Sequence, residues 1–323
     1  MPSILNRPKS RGGGKWKSLF AQIPLPTALT GEDTPKSLSD MLFGTEAERA
    51  AIQNPTSSLM NRNGTHFGNI DEVKVPSTNS VKLKGRLYHP RVEDRQDPRK
   101  NLCVLYCSGS GGSAENYGED VAEYYLRQGV RFLAVNYRGF GRSSGGPSES
   151  GLYDDAYAMY KFLKDENGIG HGDIIVHGYS LGGPIAASLA KTLAKNGKPV
   201  RALVLHSPMV TSYEAAADAA DEAIDGQAAQ VTKMFLGKFD TRDKLQTLRG
   251  QAANIPIRLI SGTGPADQLD ISARLCNPQN ATSFLQDVQA MNFGNLNYAR
   301  HGSDHFARAH HMAAANNILQ TIF

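Results

Sequence analysis

The hydrophobic pattern changes at about Asp71. From Val73 to Pro76 and from Val81 to His89 apolar and polar residues alternate, with the polar stretch Ser77–Ser80 between them. Alternation of period two predicts a half-buried antiparallel hairpin. Arg91–Lys100 is a polar linker. Leu102–Cys107 is an unbroken apolar run that ends in Ser108-Gly109-Ser110-Gly111-Gly112. A continuous apolar strand belongs to a sheet covered on both faces. Helical and strand patterns then take turns. Helices are predicted over Ala114–Gln128, Gly151–Asp165 and Ser180–Lys195, with strands over Arg131–Asn136, Asp173–His177 and Val200–His206. Ser212–Leu248 is helical with breaks. Pro256–Ser261 and Leu296–Arg300 are strands, Ala281–Met291 is helical, and Asp304–Ile322 closes the chain as a helix. Strands separated by helices imply right-handed crossovers and a mostly parallel sheet. The expected class is therefore α/β, with helices on both faces of a central sheet. Such sheets carry their sites beyond the carboxyl ends of the strands.

Residues 1–70 follow a different pattern. Gly, Pro, Ser, Thr and Asn dominate, and one sparse helical stretch runs over Leu38–Gln53. This part is expected to be an N-terminal extension that is flexible or wraps on the main domain, residues 71–323.

Composition narrows the choices. The 323 residues are 40% hydrophobic and 20% charged, which excludes a wholly disordered chain. No apolar run approaches the ~18 residues of a transmembrane helix. Of the net charge of +4, most sits in residues 1–70, where eight Lys/Arg face five acids, so no basic nucleic-acid face is evident. Cys103 and Cys107 would lie ~13 Å apart along a strand, too far for a bridge. Reduced thiols suit a cytosol. Met1–Phe20 lacks the apolar core of a secretory signal. The expectation is a cytoplasmic protein, or one exported without a classical signal peptide. The sequence is silent on oligomeric state.

The strand ends carry the chemistry. Ile174-Ile175-Val176-His177 runs into Gly178-Tyr179-Ser180-Leu181-Gly182 and an Ala/Leu-rich helix. Gly-x-Ser-x-Gly between strand and helix is a nucleophile elbow: a tight, strained turn lifts the serine oxygen above the sheet. Glycines two residues to either side leave the turn room. The Leu181 N–H then points to where an oxyanion would form. The glycines after Leu102–Cys107 do not make a phosphate loop, because Gly-x-x-x-x-Gly-Lys-[Ser/Thr] is absent. Neither His-Glu-x-x-His nor Cys-x-x-Cys occurs, so no metal site is expected and no cofactor is required.

Val135-Asn136-Tyr137-Arg138-Gly139-Phe140-Gly141-Arg142-Ser143-Ser144-Gly145, followed by Pro147-Ser148-Glu149-Ser150-Gly151-Leu152-Tyr153-Asp154-Asp155-Ala156, carries a family resemblance. From Asp71 to Phe323 the chain resembles the α/β-hydrolase superfamily. The nearest branch looks like the small-lid serine hydrolases of the alpha/beta-hydrolase-domain type, which include depalmitoylases and esterases. The resemblance implies an acid after the strand that follows the lid. Asp267 matches it, with Asp270 as competitor; the chain has Ser261-Gly262 where the family usually has His-Gly. It implies a base in Gly302-Ser303-Asp304-His305-Phe306, with His305 the match and His301 the alternative. His310 and His311 fall inside the closing helix. His177 and His206 end neighbouring strands and are expected to be hydrogen-bonded core histidines. A second oxyanion donor is implied in the glycine loop, where Ser110 aligns. The lid falls at about 208–238, short, Ala-rich and acidic. Tyr179, Met209 and Tyr213 are expected to line the substrate pocket.

The order Ser180, Asp267, His305 is that of an α/β-hydrolase triad. The expected activity is a serine hydrolase cleaving a carboxylic ester or thioester on a small molecule or an acylated protein. Two further readings stay open. One is a bacterial effector-like hydrolase acting on acylated host targets; the other is a catalytically dead α/β-hydrolase that serves as a binding module.

Overall fold

In the computed structural model, Phe43 and residues 46–50, 67–91, 101–110, 113–211, 239–262, 278–301 and 319 are described. The alternating stretch pairs first with itself. Strands β1 (Phe67–Pro76) and β2 (Lys82–Pro90) run antiparallel, joined by a 3-10 turn over Thr78–Ser80. The other strands are β3 (Cys103–Cys107), β4 (Arg131–Val135), β5 (Ile174–Tyr179), β6 (Ala202–His206), β7 (Ile257–Gly262) and β8 (Leu296–His301). They form one sheet in the order β1-β2-β4-β3-β5-β6-β7-β8. Beyond the antiparallel β2–β4 pair every neighbour is parallel. The α/β class and the mostly parallel sheet expected from the sequence are those observed.

Five helices of at least three turns lie among the described residues: α1 (Ala114–Leu126), α2 (Glu149–Lys161), α3 (Gly182–Lys195), α4 (Thr241–Gln251) and α5 (Pro278–Ala290). Every residue of β3, β5 and β6 is buried, because both faces of the sheet are covered. On β3, Cys103, Leu105 and Cys107 face a layer that includes Leu152 and Met159 of α2, Ile185 and Leu189 of α3, and Leu245 and Leu248 of α4. Val104 and Tyr106 face the opposite layer, with Val121, Ala122 and Tyr125 of α1 and the distant Leu319. The alternation of side chains along a strand makes this division.

Element ends differ from the pattern-based expectation for local reasons. Helix α2 starts at Glu149 because the Ser148 hydroxyl accepts the Gly151 N–H and caps it. It ends at Lys161 and passes into a π-helical turn over Phe162–Glu166. Helix α3 starts at Gly182 and not Ser180, because Ser180 has φ +53. All of the predicted closing helix except Leu319, and most of the lid, lie outside the described residues.

Two points of the N-terminal segment touch the rest of the chain. Phe43 is buried, with its ring edge-on to Phe239 at 6.1 Å. Arg49 Nε donates to the Gly139 carbonyl (3.1 Å), and the Gly141 N–H donates back to the Arg49 carbonyl (3.2 Å). At these points the segment wraps on the sheet-bearing part of the chain.

A buried ion pair fixes the loop after β4. Asp155, wholly buried on α2, accepts from the Arg138 guanidinium (2.7 Å), the Arg138 backbone N–H (2.8 Å) and the Ser77 hydroxyl (2.7 Å). One carboxylate thus ties α2, the β4 exit and the β1–β2 turn together. Behind β5, His177 is fully buried with its Nδ1 3.1 Å from the Tyr125 hydroxyl. Burial pulls the His177 pKa down to about 3, so the ring is neutral in the folded chain.

Two predictions follow from these buried groups. Asp155→Asn leaves the Arg138 charge without a counter-ion, and is expected to destabilise by about 3–5 kcal/mol. The urea midpoint falls while the slope of the transition is unchanged. His177 binds a proton near pH 6.5 when unfolded but only near pH 3 when folded. Its contribution is therefore constant above pH 6.5 and is lost on acidification, by up to ~1.4 kcal/mol per pH unit. Urea titrations from pH 7 to pH 4 should show His177→Gln with a shallower acid dependence than the parent protein.

Candidate active site

The chain turns from β5 into α3 through Tyr179-Ser180-Leu181. Ser180 sits in the left-handed region at φ +53, a conformation that costs a non-glycine residue about 1–3 kcal/mol. Three backbone bonds hold it there. Its N–H donates to the His206 carbonyl (3.1 Å), and its carbonyl accepts from the Gly183 and Met209 N–H groups, both at 2.9 Å. The glycines are required by space. A Cβ on Gly182 would lie 1.9 Å from the Cys107 carbonyl oxygen, and one on Gly178 would lie 2.3 Å from the Gly182 oxygen. The first turn of α3 is pressed onto β3 and β5 at backbone contact distance. Gly-x-Ser-x-Gly is what that contact demands.

Around the serine the sequence-predicted residues are placed as follows. Ser180 is 5% exposed. Leu181 is the N-cap residue of α3, with helical backbone angles (φ −50, ψ −32) and no side-chain cap bond. N–H groups of a first helical turn have no partner within the helix. The loop after β3 lies against the serine: a Cβ on Gly109 would be 3.3 Å from the Ser180 Cβ and 3.1 Å from the Tyr179 ring. Ser110 follows directly and is half-buried. Tyr179 is buried beneath this loop, edge-on to His206 with ring centroids 5.0 Å apart. Met209, also buried, follows β6 and is bonded to the Ser180 carbonyl. His177 and His206 are both fully buried beneath the site, with ring centroids 5.5 Å apart. Tyr213, Asp267, Asp270, His305, His310 and His311 lie outside the described residues.

The strand ends converge. Tyr179 pairs with His206, His206 with Ile260, and Gly262 with His301, so β5 to β8 all finish at one end of the sheet. The chain leaves β7 five residues before Asp267 and leaves β8 four residues before His305. Thiol and phenol chemistry is switched off nearby. Burial pushes the Cys107 thiol up to about 12 and raises Tyr137 well above the usual phenol range. Among the described residues no group of His, Cys, Asp or Glu has the arrangement of a metal site. Among them, too, no helix is long and apolar enough to cross a membrane.

Asn136, Tyr137 and Arg138 form a set that sequence reasoning used only for family resemblance. All three are buried. The signal was available: polar residues directly following the apolar strand Arg131–Val135 need partners inside the protein.

Comparison with known proteins agrees with the geometry. The alpha/beta hydrolase fold family matches residues 103–255. Over 239 residues, 69% of this chain, the sequence is 35% identical to the multifunctional-autoprocessing repeats-in-toxin of Vibrio vulnificus, covering 4% of that protein. It is 32% identical to the lysophosphatidylserine lipase ABHD12 of Danio rerio over 114 residues, 35% of this chain and 29% of the relative. The chain thus spans only a small part of the curated relatives it matches. The crystal structure of an alpha-beta hydrolase from Vibrio vulnificus is similar with a TM-score of 0.68 and 29% identity, covering 88% of this chain and 92% of that one. The elbow, the sheet order and these matches together show that the chain has the α/β-hydrolase fold.

Proposed function

We propose that the protein is a serine hydrolase that cleaves a carboxylic ester or thioester through an acyl-enzyme on Ser180. The observation that carries this is the left-handed Ser180 at the β5–α3 turn, with the glycine loop after β3 against its Cβ. Its Cβ lies beside the loop that the family resemblance assigns to the oxyanion. Asp267 and His305 are assigned from the family resemblance, and the shared finishing edge of β5, β7 and β8 supports them.

In the proposed mechanism His305 removes the Ser180 hydroxyl proton as the oxygen attacks the acyl carbon. Asp267 orients the imidazole and stabilises its cationic form. The Leu181 and Ser110 N–H groups stabilise the oxygen that becomes negative. The carbon–oxygen or carbon–sulfur bond breaks, and His305 returns the proton to the leaving alcohol or thiol. Water, activated in turn by His305, attacks the acyl carbon, releases the acid and restores Ser180. No cofactor enters this sequence. Met209, Tyr213 and Tyr179 are assigned to the acyl-binding side. The name of one relative, a lysophosphatidylserine lipase, brings lipid esters into the substrate class alongside small soluble esters.

A second reading concerns the setting and not the chemistry. The match to a segment of a bacterial toxin favours an effector-like hydrolase acting on acylated host targets. A dead binding module is disfavoured by the intact order Ser180, Asp267, His305 in the sequence.

The test is turnover of a panel of p-nitrophenyl esters graded in acyl length. Ser180→Ala should abolish it with the fold intact. Asp267→Asn and His305→Ala should each lower kcat by about 10⁴-fold, and the double variant should be little worse, because the groups act as a unit. Asp270→Asn and His301→Ala should stay near wild type. Inactivity of Asp270→Asn with an active Asp267→Asn would move the acid to Asp270. Full activity of Ser180→Ala would end the serine-hydrolase reading.

A further inference from the structure

The glycine loop that faces Ser180 is anchored at both ends by consecutive residues at the β4 exit. At its start, the Ser108 carbonyl accepts the Tyr137 hydroxyl at 3.4 Å. At its end, the first N–H of α1, on Ala114, donates to Asn136 Oδ1 at 2.8 Å. Between these anchors Gly109 is packed against Ser180 and Tyr179, where a Cβ would be a tight fit at 3.1–3.3 Å. The described part of the loop, Ser108–Ser110, is thus bonded to the β4 exit and packed on the serine.

The two anchors are themselves fixed. The Asn136 amide nitrogen donates to the wholly buried Glu115 carboxylate (2.8 Å) and to the Lys84 carbonyl (3.2 Å), which sets which way the amide faces. Its backbone N–H also donates to Lys84, and its carbonyl accepts the Ser143 hydroxyl at 2.8 Å. Arg142 bonds the second oxygen of Glu115 at 3.2 Å. Tyr137 is fully buried, its ring edge-on to Phe140. Its hydroxyl stays protonated, because burial raises its pKa. It therefore keeps the proton it donates to Ser108. The next residue, Arg138, is pinned by Asp155.

We propose that Asn136 and Tyr137 are positioning residues for the hydrolysis assigned above, holding Ser108 and Ala114 so that the Ser110 N–H faces the developing oxyanion. The inference rests on the serine-hydrolase reading and adds to it the residues that hold the oxyanion loop. Their contribution is confined to the transition state, because the ground-state carbonyl needs that alignment far less.

The test uses the full chain and p-nitrophenyl acetate, with active sites titrated to completion by a fluorophosphonate. Tyr137→Phe removes one O–H and keeps the ring, so the protein should fold. Its kcat per titrated site should fall about tenfold or more, by analogy with misaligned or lost oxyanion donors. KM should change much less. Affinity for a trifluoromethyl ketone, which forms a tetrahedral adduct on the serine, should fall in parallel with kcat/KM. Asn136→Asp sets a carboxylate against Glu115 and should act in the same direction more strongly. A purely structural role would lower Tm or yield and leave kcat per site unchanged. Folded Tyr137→Phe with kcat per site within about twofold of wild type overturns the proposal. If the wild-type chain neither labels nor turns over any ester, the serine-hydrolase reading itself has failed and this inference falls with it.

Discussion

Everything at the functional end of the sheet depends on one close approach. The first turn of α3 rests on β3 so tightly that the Gly182 Cα has the Cys107 carbonyl where a side chain would be. That contact forces the chain to reverse within Tyr179-Ser180-Leu181 and places Ser180 in the left-handed region. The strain is tolerated because three backbone bonds from β6, α3 and the segment after β6 over-determine the position. Glycine would adopt this conformation without that cost. The packing of two elements thereby fixes the position of Ser180.

The same contact sets the position of the neighbouring loop. β3 ends at Cys107, and the chain must cross over the serine before entering α1. Gly109 packs against Ser180 and Tyr179, and the β4 exit bonds Ser108 and Ala114. Polar groups that would be costly if unpaired, such as Glu115, Asn136, Arg138 and Asp155, are joined in bonded sets within the described core. The rigidity of this network is what a preorganised site requires, since dipoles must already be aimed before charge develops.

The fold was largely legible in the sequence. The switch from period-two alternation at Val73–His89 to continuous apolar runs at Leu102–Cys107 marked the antiparallel edge and the buried parallel centre, and the sheet has that layout. Ser180 was legible because Gly178 and Gly182 record a steric demand that no other residue meets. Element ends were less so. The start of α2 depends on the Ser148 cap, and the start of α3 on the positive φ of Ser180; neither alters the apolar period. The docking of Phe43 and Arg49 is a long-range contact that a Gly- and Pro-rich stretch does not announce. The Asn136–Tyr137 clamp was hidden for a similar reason: its partners, Ala114 and Ser108, lie more than twenty residues away in sequence. Asp267 and His305 were named from motif position alone, since loop positions carry no hydrophobic period, and both lie outside the described residues.

The central claim is that Ser180 is a nucleophile and not a turn residue. Intact-mass and peptide mass spectrometry after incubation with a fluorophosphonate tests it most directly. The account predicts one phosphonyl adduct per chain, located on the peptide that contains Ser180, and none on Ser180→Ala. An unmodified wild-type chain, or an adduct on any other residue, would contradict it.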